Sequence, residues 1–256
     1  MEEHDVVQKK YIGAILIIIS ILILLFLHLS VHQKENTFNT SQPGNSQLRA
    51  ALVDSLYVSY PNNRFTSNLT AILNEAGFKV DIYQGREVTV DFLKALPDGY
   101  KLLILRMHSA VHSKSLGLYL FTAEPYVEEK HVQEQYFYLV KKAYAFNESQ
   151  PVFAVNWMFI KRCMTGKFNN TLVITMGCDG TLDPLMVDEF FNQGATAYIG
   201  WDGPVLPSHS DTATIQLIQN LYIQNLTLQQ AVEKTNQQTG PDPSSNSTLK
   251  LLLPQG

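Results

Sequence analysis

Beyond the first thirty residues the hydrophobic positions fall into short continuous runs separated by stretches of helical period, the pattern of buried strands alternating with amphipathic helices. Residues 50–57, 78–83, 100–107, 171–178 and 195–200 predict strands. Between them, Leu69, Ile72, Leu73 and Ala76 recur at helical spacing, with Thr66 or Ser67 as cap and Gly77 as stop. A short helix follows from Thr89 to Pro97, and Pro184 opens another that carries Leu185, Met186, Phe190 and Phe191 up to Gly194. Two more helices are expected at 211–224 and 227–238. The order predicts an α/β domain with a mostly parallel central sheet, right-handed crossovers and helices on both faces. An insertion between 108 and 178 breaks the alternation: strands at 118–122 and 152–155 are expected to pair antiparallel, with an amphipathic helix around 133–144 and a helical turn or two at 157–164. Residues 249–253 read as either an edge strand or a docking tail.

The N-terminal end follows a different rule. Residues 11–29 form an almost charge-free apolar run, long enough to cross a bilayer core of roughly 30 Å. No small-x-small cleavage site follows, so an uncleaved transmembrane anchor is expected. Lys9 and Lys10 flank its start and place residues 1–10 in the cytoplasm. Residues 30–48, polar and holding Pro43 and Gly44, are a flexible linker, and 49–256 form a single domain facing outward across the cell membrane. Six Asn-x-Ser/Thr sequons, at Asn39, Asn68, Asn147, Asn169, Asn225 and Asn246, fit that orientation and a glycoprotein.

The net charge of −4 is spread without basic runs, which argues against a nucleic-acid partner. Two cysteines, Cys163 and Cys178, exclude a disulfide scaffold and a Cys-rich zinc site, though the pair can bridge to one another in an oxidising exterior. His112 follows His108 by four, but the residue after His108 is serine and the preceding segment is a strand, so no metal site is expected. No cofactor is called for.

Candidate chemistry sits where two strands stop. The run 171–178 ends on Gly177 and Cys178, and the run 100–107 ends before His108, so thiol and imidazole are expected at one edge of one sheet. A thiolate there, with His108 as its base and the backbone N–H groups of Ser109 and Cys178 as oxyanion donors, is the equipment of a cysteine nucleophile. A helix expected just after Cys178 would lower the thiol pKa through its dipole. Trp201 and Asp202 lie in a loop at the same edge; Trp201 reads either as a core aromatic or as a wall of a substrate pocket. Arg106 is expected to pair with a carboxylate such as Asp54, His131 and His209 to be solvated, and Asp183 and Asp211 to cap helices.

The sequence of elements strand–His108, hairpin-bearing insertion, strand–Cys178, helix, and then Gly194-Ala195-Thr196-Ala197-Tyr198-Ile199-Gly200 resembles the caspase-like fold of the clan CD cysteine peptidases: caspases, clostripain, gingipains, separase and CHAT-type peptidases. The stretch 173–205 is most similar to the CHAT and gingipain pattern. Two features depart from the family: Ser109 stands where a glycine commonly follows the histidine, and Met176 and Gly177 stand where some members carry an aspartate shortly before the cysteine. The resemblance implies a three-layer sandwich and a His108/Cys178 dyad cleaving a polypeptide substrate. It further implies that the end of the first strand and the loops beside the cysteine choose the P1 side chain. Asp54, Asp179 and Asp202 are then the acidic candidates, favouring Lys or Arg at P1. The competing expectation is a catalytically inactive module of the same fold, tethered to the membrane to bind a partner.

Overall fold

The computed structural model describes residues 48–96, 98–112, 117–145 and 148–255. The expected anchor, cytoplasmic segment and nearly all of the linker, together with the sequons at Asn39 and Asn147 and the helix stop at Pro97, lie outside the described residues. Among the described residues no helix is long and apolar enough to cross a membrane.

The five expected strands form the centre. They are β1 (Leu48–Asp54), β2 (Phe78–Gln84), β3 (Leu102–Arg106), β8 (Thr171–Thr175) and β9 (Ala195–Trp201). With β10 (Leu249–Leu252) they make a six-stranded sheet in the order β10-β9-β8-β3-β1-β2. All neighbours are parallel except β10, which runs antiparallel along β9 and resolves the tail as an edge strand. The architecture is α/β with a mixed, mostly parallel central sheet.

Both faces of that sheet are buried, which explains why its strands read as continuous apolar runs. Ala51, Val53, Leu103, Leu105, Val173 and Tyr198 share one core with helices α2 (Val90–Lys94), α4 (Trp157–Cys163) and α5 (Pro184–Asn192). The alternating residues Ala50, Leu52, Leu102, Ile104, Leu172 and Ile174 are equally buried. Helices α1 (Asn63–Glu75), α6 (Pro207–Ile218) and α7 (Leu228–Thr239) pack on one another, with α1 against β2 and α7 against β10. The cap of α1 is Asn62, whose side chain accepts from Phe65 N, several residues before the expected Thr66 or Ser67.

The insertion folds as a second, antiparallel sheet of β4 (Ser109–Val111), β5 (Leu118–Pro125), β7 (Val152–Val155) and β6 (Val140–Ala143), in the order β4-β5-β7-β6. The expected pairing of the segments at 118–122 and 152–155 is present. The expected helix at 133–144 is not: α3 covers only Val132–Tyr136, Tyr138 takes a left-handed φ of 56°, and the chain pairs with β7 from Val140 onward. Aromatic and β-branched residues with a buried Leu139 and Val140 suit a pleated surface better than a helix, and the waiting edge of β7 decided between them.

Candidate active site

Strands β3 and β8 lie side by side in parallel, with Leu105 opposite Thr175 and Met176 N donating to Leu105 O at 2.9 Å. The pairing ends there, and His108 and Cys178 each follow three residues on, at the carboxyl edge of the sheet, where groups from neighbouring strand ends converge. Two contacts bracket the histidine. A Cβ on Gly177 would stand 2.4 Å from Met107 O and 2.2 Å from Ser109 Oγ, so glycine alone lets the two strand ends close up. Ser109 Oγ in turn donates to Cys178 O at 2.6 Å.

The His108 ring meets Tyr60 edge-on at 5.9 Å and Phe121 at 6.3 Å, and its Nε2 is buried with no hydrogen-bond partner among the described residues. Burial pushes its pKa below the ordinary histidine value, against the pull of the Glu148 charge. The ring is therefore neutral at neutral pH, the state a general base requires. Phe121 N donates to His108 O, and Ser109 faces Leu120 as the next pair of the β4–β5 ladder. Alternation along an antiparallel ladder then turns the Ser109 N–H away from β5 and leaves it free of that pairing.

Cys178 is a free, half-buried thiol, and so is Cys163; no disulfide joins them. Cys163 ends α4 and packs against the main core. The expected helix dipole is missing from the thiol. Helix α5 starts at Pro184 under an Asp183 cap, and the intervening turn is pinned to the end of β9. Tyr198 Oη donates there to Gly180 O, Thr181 N to Trp201 O, and Asp179 N to Gly203 O. Burial accordingly raises the Cys178 pKa, countered by the Val205 N–H, which donates to Sγ at 3.4 Å, and reinforced by the charges of Asp179 and Asp242.

The four proposed substrate contacts separate. Asp54 is buried and held by both its oxygens on Arg106 Nη1, at 2.9 and 3.1 Å, so it offers no free charge to a ligand. Asp202 receives Thr248 N at 2.7 Å and Lys250 Nζ at 3.2 Å and ties β10 to the end of β9. Trp201 is a core residue at 1% exposure, its indole N–H donating to Ser210 Oγ, which itself donates to Met176 O. Asp179 alone remains beside the cysteine with a half-exposed side chain, at a left-handed φ of 59°; burial raises its pKa and the Val111 N–H lowers it.

Other expectations are corrected. His131 is not solvated: its Nε2 lies 3.0 and 3.1 Å from the oxygens of buried Glu124, and its ring meets Phe153. His209 packs on Trp201 with Nε2 buried. Asp183 caps α5 as expected, whereas Asp211 lies inside α6 and grips Arg106.

Sequence reasoning missed Val205 and Asp242. Asp242 Oδ2 accepts Leu206 N at 2.8 Å, one residue from the donor to the thiol, and Oδ1 accepts Ser244 N and Ser245 N. Although burial opposes it, these donors hold the carboxyl down at about 2. A folded pKa below the unfolded one contributes stability above about pH 4, lost as pH falls through about 2. Asp242→Asn is expected to lower stability by about 2 kcal/mol at pH 7, and the gap to the parent should close on acidification toward pH 2. Thermal unfolding of both proteins across that range checks it. An asparagine-proline-serine stretch reads as a turn from sequence, but its partner 36 residues earlier does not show there.

No family model matches this sequence, and no curated protein matches it.

Proposed function

We propose that the protein is a membrane-anchored, extracytoplasmic cysteine endopeptidase of caspase-like three-layer architecture, with His108 and Cys178 as its dyad. What supports this reading is that His108 and Cys178 each lie three residues beyond the last pair of the adjacent parallel strands β3 and β8, with Ser109 Oγ donating to Cys178 O at 2.6 Å. In the reaction, His108 takes the thiol proton as Sγ attacks the scissile carbonyl, and the Ser109 and Cys178 N–H groups receive the oxyanion. The proton then passes to the leaving amine, and water hydrolyses the thioester to release the acid and restore the thiol.

Asp179, the acidic candidate with no cation partner among the described residues, supports Lys or Arg at P1. The asparagines of the sequons at Asn68, Asn169, Asn225 and Asn246 are exposed, which suits glycan acceptance on an outward-facing domain. The apolar run at 11–29 supports the anchor.

A second reading has one observation behind it: the raised Cys178 pKa suits an inert thiol in a catalytically inactive binding module. Fluorogenic peptides with Arg, Lys, Asp or Leu at P1 separate the readings when assayed with the parent chain and Cys178→Ala. Cysteine-dependent cleavage after Arg and Lys is expected. Cleavage only after Asp would sink the P1 assignment, and no cleavage by the parent chain would leave the binding module.

A further inference from the structure

Cys178 stands on no helix N-terminus, so the donor that stabilises its thiolate must come from elsewhere. Besides the cysteine's own backbone N–H, that donor among the described residues is the Val205 N–H, 3.4 Å from Sγ, while the thiol itself donates to Val205 O at 3.7 Å. The loop carrying Val205 is fastened on both sides of it by one segment near the chain's end. Before Val205, the hydroxyls of Ser245 and Ser247 both donate to Pro204 O. After it, Leu206 N donates to Asp242 Oδ2 at 2.8 Å. The segment is itself closed into a compact turn, with Asp242 N on Ser247 O at 2.9 Å and Asn246 N on Asp242 O at 2.8 Å. Asp202 N on Thr248 O at 3.1 Å and Thr248 N on Asp202 Oδ1 at 2.7 Å extend the same attachment upstream.

We propose that residues 242–248 are a positioning clamp for the Cys178 thiolate, acting through the Val205 N–H. The consequence for catalysis rests on the peptidase reading; the consequence for the thiol does not. A hydrogen bond to sulfur stabilises the anion only while donor and sulfur stay aligned, and a loop released at Pro204 or Leu206 loses that alignment. Asp242 also acts on the thiol by its charge, in the opposite sense to the clamp, so its substitution would mix two effects. The two serines carry no charge and isolate the positioning contribution.

The test uses the full chain in a Cys163→Ala background, so that Cys178 is the thiol read out. The rate of alkylation by iodoacetamide is followed against pH for the parent and for Ser245→Ala/Ser247→Ala. The midpoint is expected to rise by about one pH unit, and kcat for a cleaved peptide to fall about tenfold at neutral pH with KM changed less than about twofold. Asn236→Ala serves as the structural control. Its amide holds Leu249 on both backbone groups, at 2.9 and 3.1 Å, so its loss loosens β10 without touching the loop. That variant should melt earlier with an unmoved midpoint. An unmoved midpoint in the serine variant overturns the clamp, as does an equal shift in Asn236→Ala. Should the double variant not fold, Ser247→Ala alone is read in the same way, with a smaller upward shift expected and its absence equally decisive. If the parent cleaves no peptide, the peptidase reading falls while the alkylation profile still decides the clamp.

Discussion

Cys178→Ala and His108→Ala are each expected to reduce kcat/KM for a basic-P1 peptide by at least about a thousandfold, with the folded structure retained. On the peptidase reading the two substitutions act on one unit, since the thiol is useless without its base and the base without its nucleophile. The double variant should therefore be about as impaired as either single one, far from the product of the two. Structure gives little reason for collapse: Cys178 is half-buried at a turn, and the turn is held by Tyr198, Gly203 and Trp201, not by the sulfur. His108 is held by its backbone in the β4–β5 ladder. Circular dichroism and melting of each variant accompany the assay. Cleavage that survives Cys178→Ala would remove the dyad from the mechanism, whatever the fold does.

The pH dependence follows from the same geometry. Burial raises the thiol and lowers the imidazole, so in the proposed dyad both shifts favour a neutral pair over a preformed thiolate–imidazolium pair. Alkylation of Cys178 in the parent should accordingly accelerate only on the alkaline side of an ordinary cysteine. A thiol already fully reactive at pH 6 would contradict that electrostatic picture.

What could be read from the chain was what burial on two faces forces into it. Strands β3 and β8 are buried at every position and their runs 102–105 and 172–174 are apolar because neither face meets water, so the polar residues just beyond their ends, His108 and Cys178, stand out. The partners of polar residues were another matter. Arg106 finds Asp54 across 52 residues and Asp211 across 105, and Asp202 finds Thr248 across 46. Nothing local distinguishes a carboxylate that meets a guanidinium from one that meets a substrate. The same holds for Trp201, which has the composition of a pocket wall and the packing of a core residue. The segment 133–144 failed for a different reason: helical and strand patterns compete in it, and an unpaired edge of β7 outweighed the local preference. The proline-led helix begins at Pro184 as its sequence predicts, but the turn between Cys178 and Asp183 keeps its N-terminus from the thiol, and nothing local to the cysteine shows that.

The largest expected loss of stability lies two residues before His108. Arg106 is 1% exposed, and all three of its nitrogens are engaged: Nε and Nη2 on Asp211 at 2.7 and 2.9 Å, Nη1 on Asp54, and Nη2 also on Tyr60 O at 3.0 Å. Asp211→Ala would leave half of a buried guanidinium unpaired, and would strip Asn62 Nδ2 of its acceptor at 2.8 Å. A loss of about 3–5 kcal/mol is expected, enough to unfold much of the population in a domain of ordinary stability. Replacing the whole group, as Arg106→Met with Asp54→Leu and Asp211→Leu, should restore most of it, because an apolar filling of similar volume escapes the desolvation that three charges suffer. Two carboxylates against a single cation also leave an excess negative charge in the interior, and burial, helped by Asp211, pushes the Asp54 carboxyl up to about 6 in spite of Arg106. A folded pKa above the unfolded value means that the folded chain takes up the proton first. The stability this contributes is complete below about pH 4 and lost as pH rises through about 6. Asp54→Asn, which cannot ionise, should therefore flatten the decline in stability between about pH 4 and about pH 7 seen by chemical denaturation of the parent. A parent whose stability rises across that interval, with the variant following it in parallel, would show that Arg106 and its neighbours carry no such charge imbalance.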